Sequence, residues 1–278
     1  MRALRENGGG AAALRADPAR RRFSPRWRWP SLEWAQGLWV PAVLLAAWEA
    51  LSRAGILPPN WIPAPTRILD TLADLSARGE LARHVGATLG RVMIGFALGA
   101  SVGTVTGVLT GHYPRLRALL DPLLQALRNI PSMAWAPLFL LWLGIQEGSK
   151  LALIAVGVFF PVYLNTLGGI LHIDRKLVEV GLVFEMRGIE LFRRVLLPAM
   201  LPSWFVGLRG GLALGWMFVV AAEIMGASRG LGFLMVDGQM TSRPEIIVAS
   251  IVLFAVMGKI TDGALQLTGR RWLAYARS

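Results

Sequence analysis

Cysteine is absent from the 278 residues, which excludes a disulfide scaffold, a thiolate metal site, an iron–sulfur cluster and a cysteine nucleophile. Histidine is almost as scarce: His84, His112 and His172 stand far apart, so a histidine-based metal site is not expected. Charge is thin as well, at 17% of residues against roughly 25% in a soluble domain. No Gly-x-x-x-x-Gly-Lys-Ser/Thr loop occurs, so the chain lacks the usual means of holding and hydrolysing ATP. What fills the sequence is apolar: 54% hydrophobic residues, with a mean hydropathy of +0.51. The net charge of +12 would suit a nucleic-acid binder, but the hydropathy assigns it to a membrane protein, with lipid and not nucleic acid as its surroundings.

A bilayer core of ~30 Å takes about 20 mostly apolar residues per helix. Trp34–Trp48 is uncharged and runs on to Ser52 with Glu49 as its one charge; Val92–Pro114, Asn129–Gln146 and Leu151–Ile173 carry none. Two further segments lie near Ala199–Ala222, holding Arg209, and Ile246–Thr261, holding Lys259. The expectation is therefore an all-α polytopic protein of six spans, at about 34–52, 88–111, 129–146, 151–173, 199–224 and 245–262. Residues 1–33 and 273–278 would be tails flanking a permease domain of 34–272.

Basic residues set the orientation. They crowd into 1–33, 112–121, 174–198 and 262–278, whereas the alternate segments hold only Arg53, Arg67, Arg78, Arg83, Lys150, Arg229 and Arg243. By the positive-inside rule the first group is cytoplasmic, with both termini inside. The Arg-rich start superficially resembles an organellar transit peptide, but it reads as a disordered cytoplasmic tail. Trp27, Trp29, Trp34 and Trp39 would anchor the first span at the headgroup layer.

Two amphipathic segments look interfacial. Pro65-Thr66 opens one, with Ile68, Leu69, Leu72 and Leu75 along a face; Asp121-Pro122 is expected to open another as N-cap and first helical residue. Pro131 and Pro137 interrupt the third span, which is expected to be kinked or broken. Gly95, Gly99, Gly103 and Gly107 form a small-residue stripe that lets another helix come close.

The loop over 174–198 carries more information than a connector needs. Phe184, Ile189, Phe192, Val195 and Leu196 fall near helical spacing, interrupted around Gly188, with Arg187, Glu190, Arg193 and Arg194 between them. Such a segment either lies on lipid or docks in a partner's groove. Glu179, Glu185 and Glu190 among the arginines argue against adhesion to anionic lipid and for a protein partner.

This loop resembles the coupling loop of binding-protein-dependent ABC importer permeases, whose signature is Glu-Ala-Ala, three residues, Gly, nine residues, an aliphatic residue, any residue and Leu-Pro. Glu179, Val195 and Leu197-Pro198 match it; Val180 and Gly181 replace the alanines, and Glu185 stands at the glycine, with Gly188 three residues later. Arg128–Leu138, Trp142–Ile145, Phe159–Pro161, Leu164–Thr166, Val206–Arg209, Ala222-Glu223 and Gly230–Phe233 are similar to the nitrate/sulfonate/taurine branch. The resemblance implies the type I ABC importer permease fold in a bacterial inner membrane. It also implies a homodimer, two peripheral ABC ATPases that bind ATP and Mg, an extracytoplasmic binding protein and, as cargo, an aliphatic sulfonate or similar anion. Coupling would run through Glu179, Gly181, Glu185, Arg187, Gly188, Val195, Leu197 and Pro198. This chain itself would bind no cofactor or metal and would be no enzyme.

Ionisable groups in a span need a reason. Arg91, Asn165, Arg209 and Glu223 are candidates for the translocation path. Equally, Arg91 and Arg209 would serve as structural buttresses paired with Glu49 or Glu223, and Asn165 as an interhelical hydrogen-bonding group. An ion-coupled secondary transporter is the alternative function. It would need in-membrane proton or sodium ligands and an inverted repeat; no repeat is evident. An intramembrane enzyme would need a positioned His, Cys or carboxylate pair, and none is visible.

Overall fold

The computed structural model describes residues 33–275. Most of the expected tail at 1–33 and the last residues of the one at 273–278 lie outside them. Among the described residues there are helices and no strands. Helix α1 covers Glu33–Arg53; the described residues up to Ala46 belong to one unit and those from Ala47 onward to another. In the larger unit follow α2 (Pro65–Ala77), α3 (Glu80–His112), α4 (Pro114–Arg128), α5 (Ala136–Leu143), α6 (Glu147–Leu171), α7 (Arg175–Val183), α8 (Ile189–Leu191), α9 (Leu197–Ile224), α10 (Leu231–Met240) and α11 (Pro244–Tyr275). Four of the described helical runs are long and apolar enough to cross a bilayer: α3, α6, the run Ile189–Ile224 and Pro244–Trp272 of α11.

The glycine stripe positions α3 on α6. Gly95 faces Ile154, Gly99 faces Ala155 and Val158, Gly103 faces Phe159 and Val162, and Gly107 faces Thr166. A Cβ on Gly99 would overlap the Ala155 carbonyl oxygen, so only glycine permits this approach. Residue numbers rise together along the contact, hence the two helices are parallel. Helix α9 runs antiparallel to α6, with Gly207 on Asn165, Gly211 on Val158 and Gly169 on Ser203. The core of these three helices is Val92, Ile154, Val158, Val162, Leu212 and Val219.

Parallel α3 and α6 impose a return. From Arg91 to His112 α3 climbs ~32 Å, yet Arg91 grips Glu147, the first residue of α6. The chain over 113–146 therefore travels back over the same height. No single helix does so. The third apolar segment is a 3₁₀ turn at Ser132–Trp135 followed by the eight residues of α5, only ~12 Å long. Pro131 precedes the turn and Pro137 lies in the first turn of α5, where a missing N–H costs nothing.

One expected boundary is corrected. Helix α4 starts at Pro114, not at Asp121, and holds Pro122 in its interior. Asp121 is no N-cap; its carboxylate accepts a hydrogen bond from the Tyr163 hydroxyl at 2.9 Å. Helix α2 does begin at Pro65. Its cap comes from Glu49, whose carboxylate accepts from the Thr66 amide at 3.1 Å and hydroxyl at 2.9 Å. Helix α11 continues to Tyr275, beyond the sequence-based limit of 262.

Candidate functional site

Two charged constellations and one backbone motif stand out. The first joins Arg91 on α3 to Glu223 near the end of α9, both buried. The Arg91 guanidinium donates to Glu223 at 2.7 Å, to the Arg229 carbonyl at 2.6 Å, and through Nε and a terminal nitrogen to both oxygens of Glu147 at 2.7 Å. Thr88 donates to Glu223 at 2.8 Å and accepts the Leu231 amide at 2.8 Å; the Gly232 amide donates to Glu223 at 2.8 Å. Glu223 thus sits at the N-terminus of α10, where the helix dipole favours an anion.

The clasp explains the string Gly230–Phe233. Gly230 holds φ at +130°, and a Cβ there would strike the Glu223 carboxylate; a Cβ on Gly232 would lie 2.7 Å from Glu223 Cβ. His84 stacks on Phe233 and accepts the Gly230 amide at 3.0 Å. Each of the three nitrogens of the buried guanidinium has an acceptor, as a charge taken out of water requires. Of the two partners the sequence offered Arg91, the structure has Glu223; Glu49 pairs with Arg53 instead.

The second constellation is Arg209 with Asp262. The guanidinium donates through Nε and a terminal nitrogen to the two carboxylate oxygens, both at 2.8 Å. Asn165 lies elsewhere, its amide donating to the Pro161 carbonyl at 2.8 Å and its Cβ against Gly207. Hence Arg91 and Glu223 come together, while Arg209 and Asn165 each have separate partners.

The loop over 174–198 folds into two helices meeting at a turn. Asp174 caps α7 by accepting the Lys176 amide at 2.9 Å. At the other end Met186 N–H bonds Gly181 O at 3.0 Å and Glu185 N–H bonds Leu182 O at 2.9 Å. That pair of bonds is a Schellman motif, whose left-handed residue is usually glycine. Glu185 occupies it, with φ +60°. The chain therefore bends where the signature places its glycine, although this sequence has a glutamate there. Gly188, also at positive φ, starts the next helical run.

Gly181 is a point of close approach: a Cβ there would lie 2.6 Å from Leu191 Cδ1 and 3.2 Å from Val195 Cγ2. Residues Phe192–Leu196 form a π-helical turn. Its wider ring accommodates Pro198, which lacks the N–H that an α-turn would use. Pro198 lies in the first turn of α9, inside one helical run from Ile189 to Ile224. Glu179, Glu185, Arg187 and Gly188 are exposed, whereas Val195, Leu197 and Pro198 are half-buried. Val183, Phe184 and Ile189 present apolar side chains that are 80%, 70% and 73% exposed.

A non-glycine residue in the left-handed region costs about 1–2 kcal/mol, and glycine's greater freedom in the unfolded chain returns part of this. Glu185→Gly is therefore expected to stabilise the protein by roughly 1 kcal/mol, read as a rise in the unfolding midpoint of the purified protein. A drop in that midpoint would show that the Glu185 side chain contributes more than its backbone costs.

Sequence reading missed Glu147, Thr88 and Asp262. Glu147 lies just outside the uncharged runs that end at Gln146 and begin at Leu151, and Thr88 carries no signal of its own. Asp262 sits 53 positions from Arg209, with nothing local to link them.

The described residues, helical without strands and with four membrane-length runs, define a polytopic membrane protein. The model of the binding-protein-dependent transport system inner membrane component family matches residues 85–273, and the chain belongs to that family. It is thus the permease subunit of an ABC importer, a membrane component distinct from the ATPase. The chain is 40% identical over 268 residues to the putative aliphatic sulfonates transport permease protein SsuC of Bacillus subtilis (strain 168), covering 96% of this chain and 94% of that one. It is 30% identical to the taurine transport system permease protein TauC of Escherichia coli (strain K12), with 88% and 92% covered. The nitrate import permease protein NrtB of Synechocystis is also 30% identical, with 80% and 82% covered. Among solved structures, an inward-facing MetNI methionine ABC transporter chain superposes with a TM-score of 0.60 at 19% identity, over 72% of this chain and 98% of that one. That likeness shows the shared fold.

Proposed function

We propose that two copies of this chain form the path by which a small oxyanion of the sulfonate, taurine or nitrate class enters the cell. An extracytoplasmic binding protein delivers the solute, and two ATPases, holding ATP and Mg, drive the cycle from the cytoplasmic side. The cargo class rests on what the named relatives carry. The chain's termini and the 174–198 segment lie on the side of the ATPases, following the basic residues.

The observation that carries this reading is the segment itself. It offers exposed Val183, Phe184 and Ile189 at a capped turn, a surface suited to a partner's groove. Behind the turn, the helical run from Ile189 reaches Glu223 over ~50 Å, and Glu223 is clasped to α3 and α6. Force applied at the turn is delivered to the far end of the subunit without a break in the helix. Rocking of this kind around a central cavity gives alternating access.

Glu179→Lys tests the coupling. In proteoliposomes holding the complete transporter, uptake is expected to fall by about tenfold or more, an activation difference near 1.4 kcal/mol, while the ATPases keep hydrolysing and the permease inserts normally. Uptake at the unmodified rate would contradict the reading.

A further inference from the structure

The Arg209–Asp262 pair stands apart from the other ion pairs among the described residues. Arg209 is fourteen residues before Glu223 on α9, ~21 Å deeper along the helix axis, and Asp262 lies well inside α11. Yet the two side chains retain 45% and 33% of their exposure in the subunit. Charged groups at such depth face a bundle interior or water, not hydrocarbon. Lys259, one helical turn before Asp262, is exposed too. The local balance is two cations against one carboxylate, which favours an anion.

Geometry adds a second argument. Asp262 engages the guanidinium in the bidentate fork, both contacts at 2.8 Å, and a sulfonate or nitrate offers the same pair of oxygens. On the exposed stripe of α9, Gly210 has no side chain and Ala213 only a methyl group, which leaves room next to Arg209 between the larger Val206, Leu214 and Met217. Trp216 donates to Thr261 at 2.9 Å and fixes the rotation of α11 next to Asp262.

We propose that Arg209 recognises the oxyanion in transit and that Asp262 is its resident stand-in. Without solute the carboxylate keeps the guanidinium neutralised and oriented; an arriving oxyanion displaces it, and its return releases the solute. The site thereby binds weakly enough to let go. The inference rests on the cargo being anionic, as proposed above.

Removing the stand-in should leave Arg209 unneutralised. Equilibrium dialysis of labelled ethanesulfonate against the permease–ATPase complex, without binding protein, reads this directly. Asp262→Asn is expected to bind about tenfold more tightly than the unmodified complex, and Arg209→Gln with Asp262→Asn to lose binding. Affinity within twofold of the unmodified complex in Asp262→Asn, or unchanged binding in the double variant, would overturn the proposal. Should Asp262→Asn not assemble, the double variant, which leaves neither partner charged, decides by transport. Its ethanesulfonate uptake with ATPase and binding protein is expected to fall at least tenfold, while stimulation of the ATPase by loaded binding protein stays within twofold. Uptake at the unmodified rate would overturn the proposal. An unmodified transporter that moves a neutral solute and not ethanesulfonate would overturn the cargo reading and this proposal with it, whereas ethanesulfonate transport combined with a failed dialysis result would overturn this proposal alone.

Discussion

Glu223→Leu is expected to lower the stability of the permease by about 3–5 kcal/mol, the cost of removing one partner from a buried ion pair. The loss has three sources. Arg91, 4% exposed at its side chain, keeps Glu147 but gives up its buried acceptor. The Gly232 amide loses its only carboxylate acceptor, and the Thr88 hydroxyl loses its own. Leucine must also fit where the Gly230 and Gly232 backbones already touch the carboxylate. In thermal unfolding of the detergent-solubilised protein the midpoint should drop by roughly 10 °C. Glu223→Gln, which preserves the shape and part of the hydrogen bonding, should fall between. A midpoint unchanged in Glu223→Leu would mean that the clasp contributes nothing to holding α3, α6, α9 and α10 together.

Gly99→Val is expected to be as damaging, for a steric reason. Its Cβ would overlap the carbonyl oxygen of Ala155 and come within 2.8 Å of Val158 Cβ, and neither is the far end of a flexible side chain. The helices must separate along the contact on which α6 is built, at a cost of about 3 kcal/mol or more. Another glycine on the same helix provides the control: a Cβ on Gly90 meets nothing within 4 Å, so Gly90→Ala should be neutral or gain up to about 1 kcal/mol. The yield of monodisperse protein by size exclusion separates the two. Equal yields for Gly99→Val and Gly90→Ala would contradict the parallel α3–α6 packing.

Much of this architecture is legible in the sequence because hydrocarbon imposes a simple rule. Uncharged runs such as Leu151–Ile173 are long enough to cross and have few alternatives, and a glycine every fourth residue from Gly95 announces a close helix contact. Which helix makes that contact is not legible, since the stripe records a distance and not a partner. Pairing of charges is hidden for a related reason. Arg91 meets residues 56 and 132 positions away, and nothing in the sequence separates Glu223 from Glu49, whose carboxylate caps α2 instead. The bend at Glu185 shows another limit. Residue type predicts glycine in a left-handed turn, but the backbone hydrogen bonds from Met186 and Glu185 set the turn regardless. Asp121-Pro122 looked like a helix start because Asp and Pro favour one; the actual start at Tyr113-Pro114 offers the same proline with a weaker cap.

The account stands on a division of labour: this subunit supplies the path and the lever, and its partners supply the energy. Accumulation of labelled ethanesulfonate in proteoliposomes measures that division directly, comparing this chain alone with the chain plus ATPase, binding protein and ATP. The expected result is uphill accumulation in the complete system and none with the chain alone. Uphill accumulation by the chain alone would contradict the account.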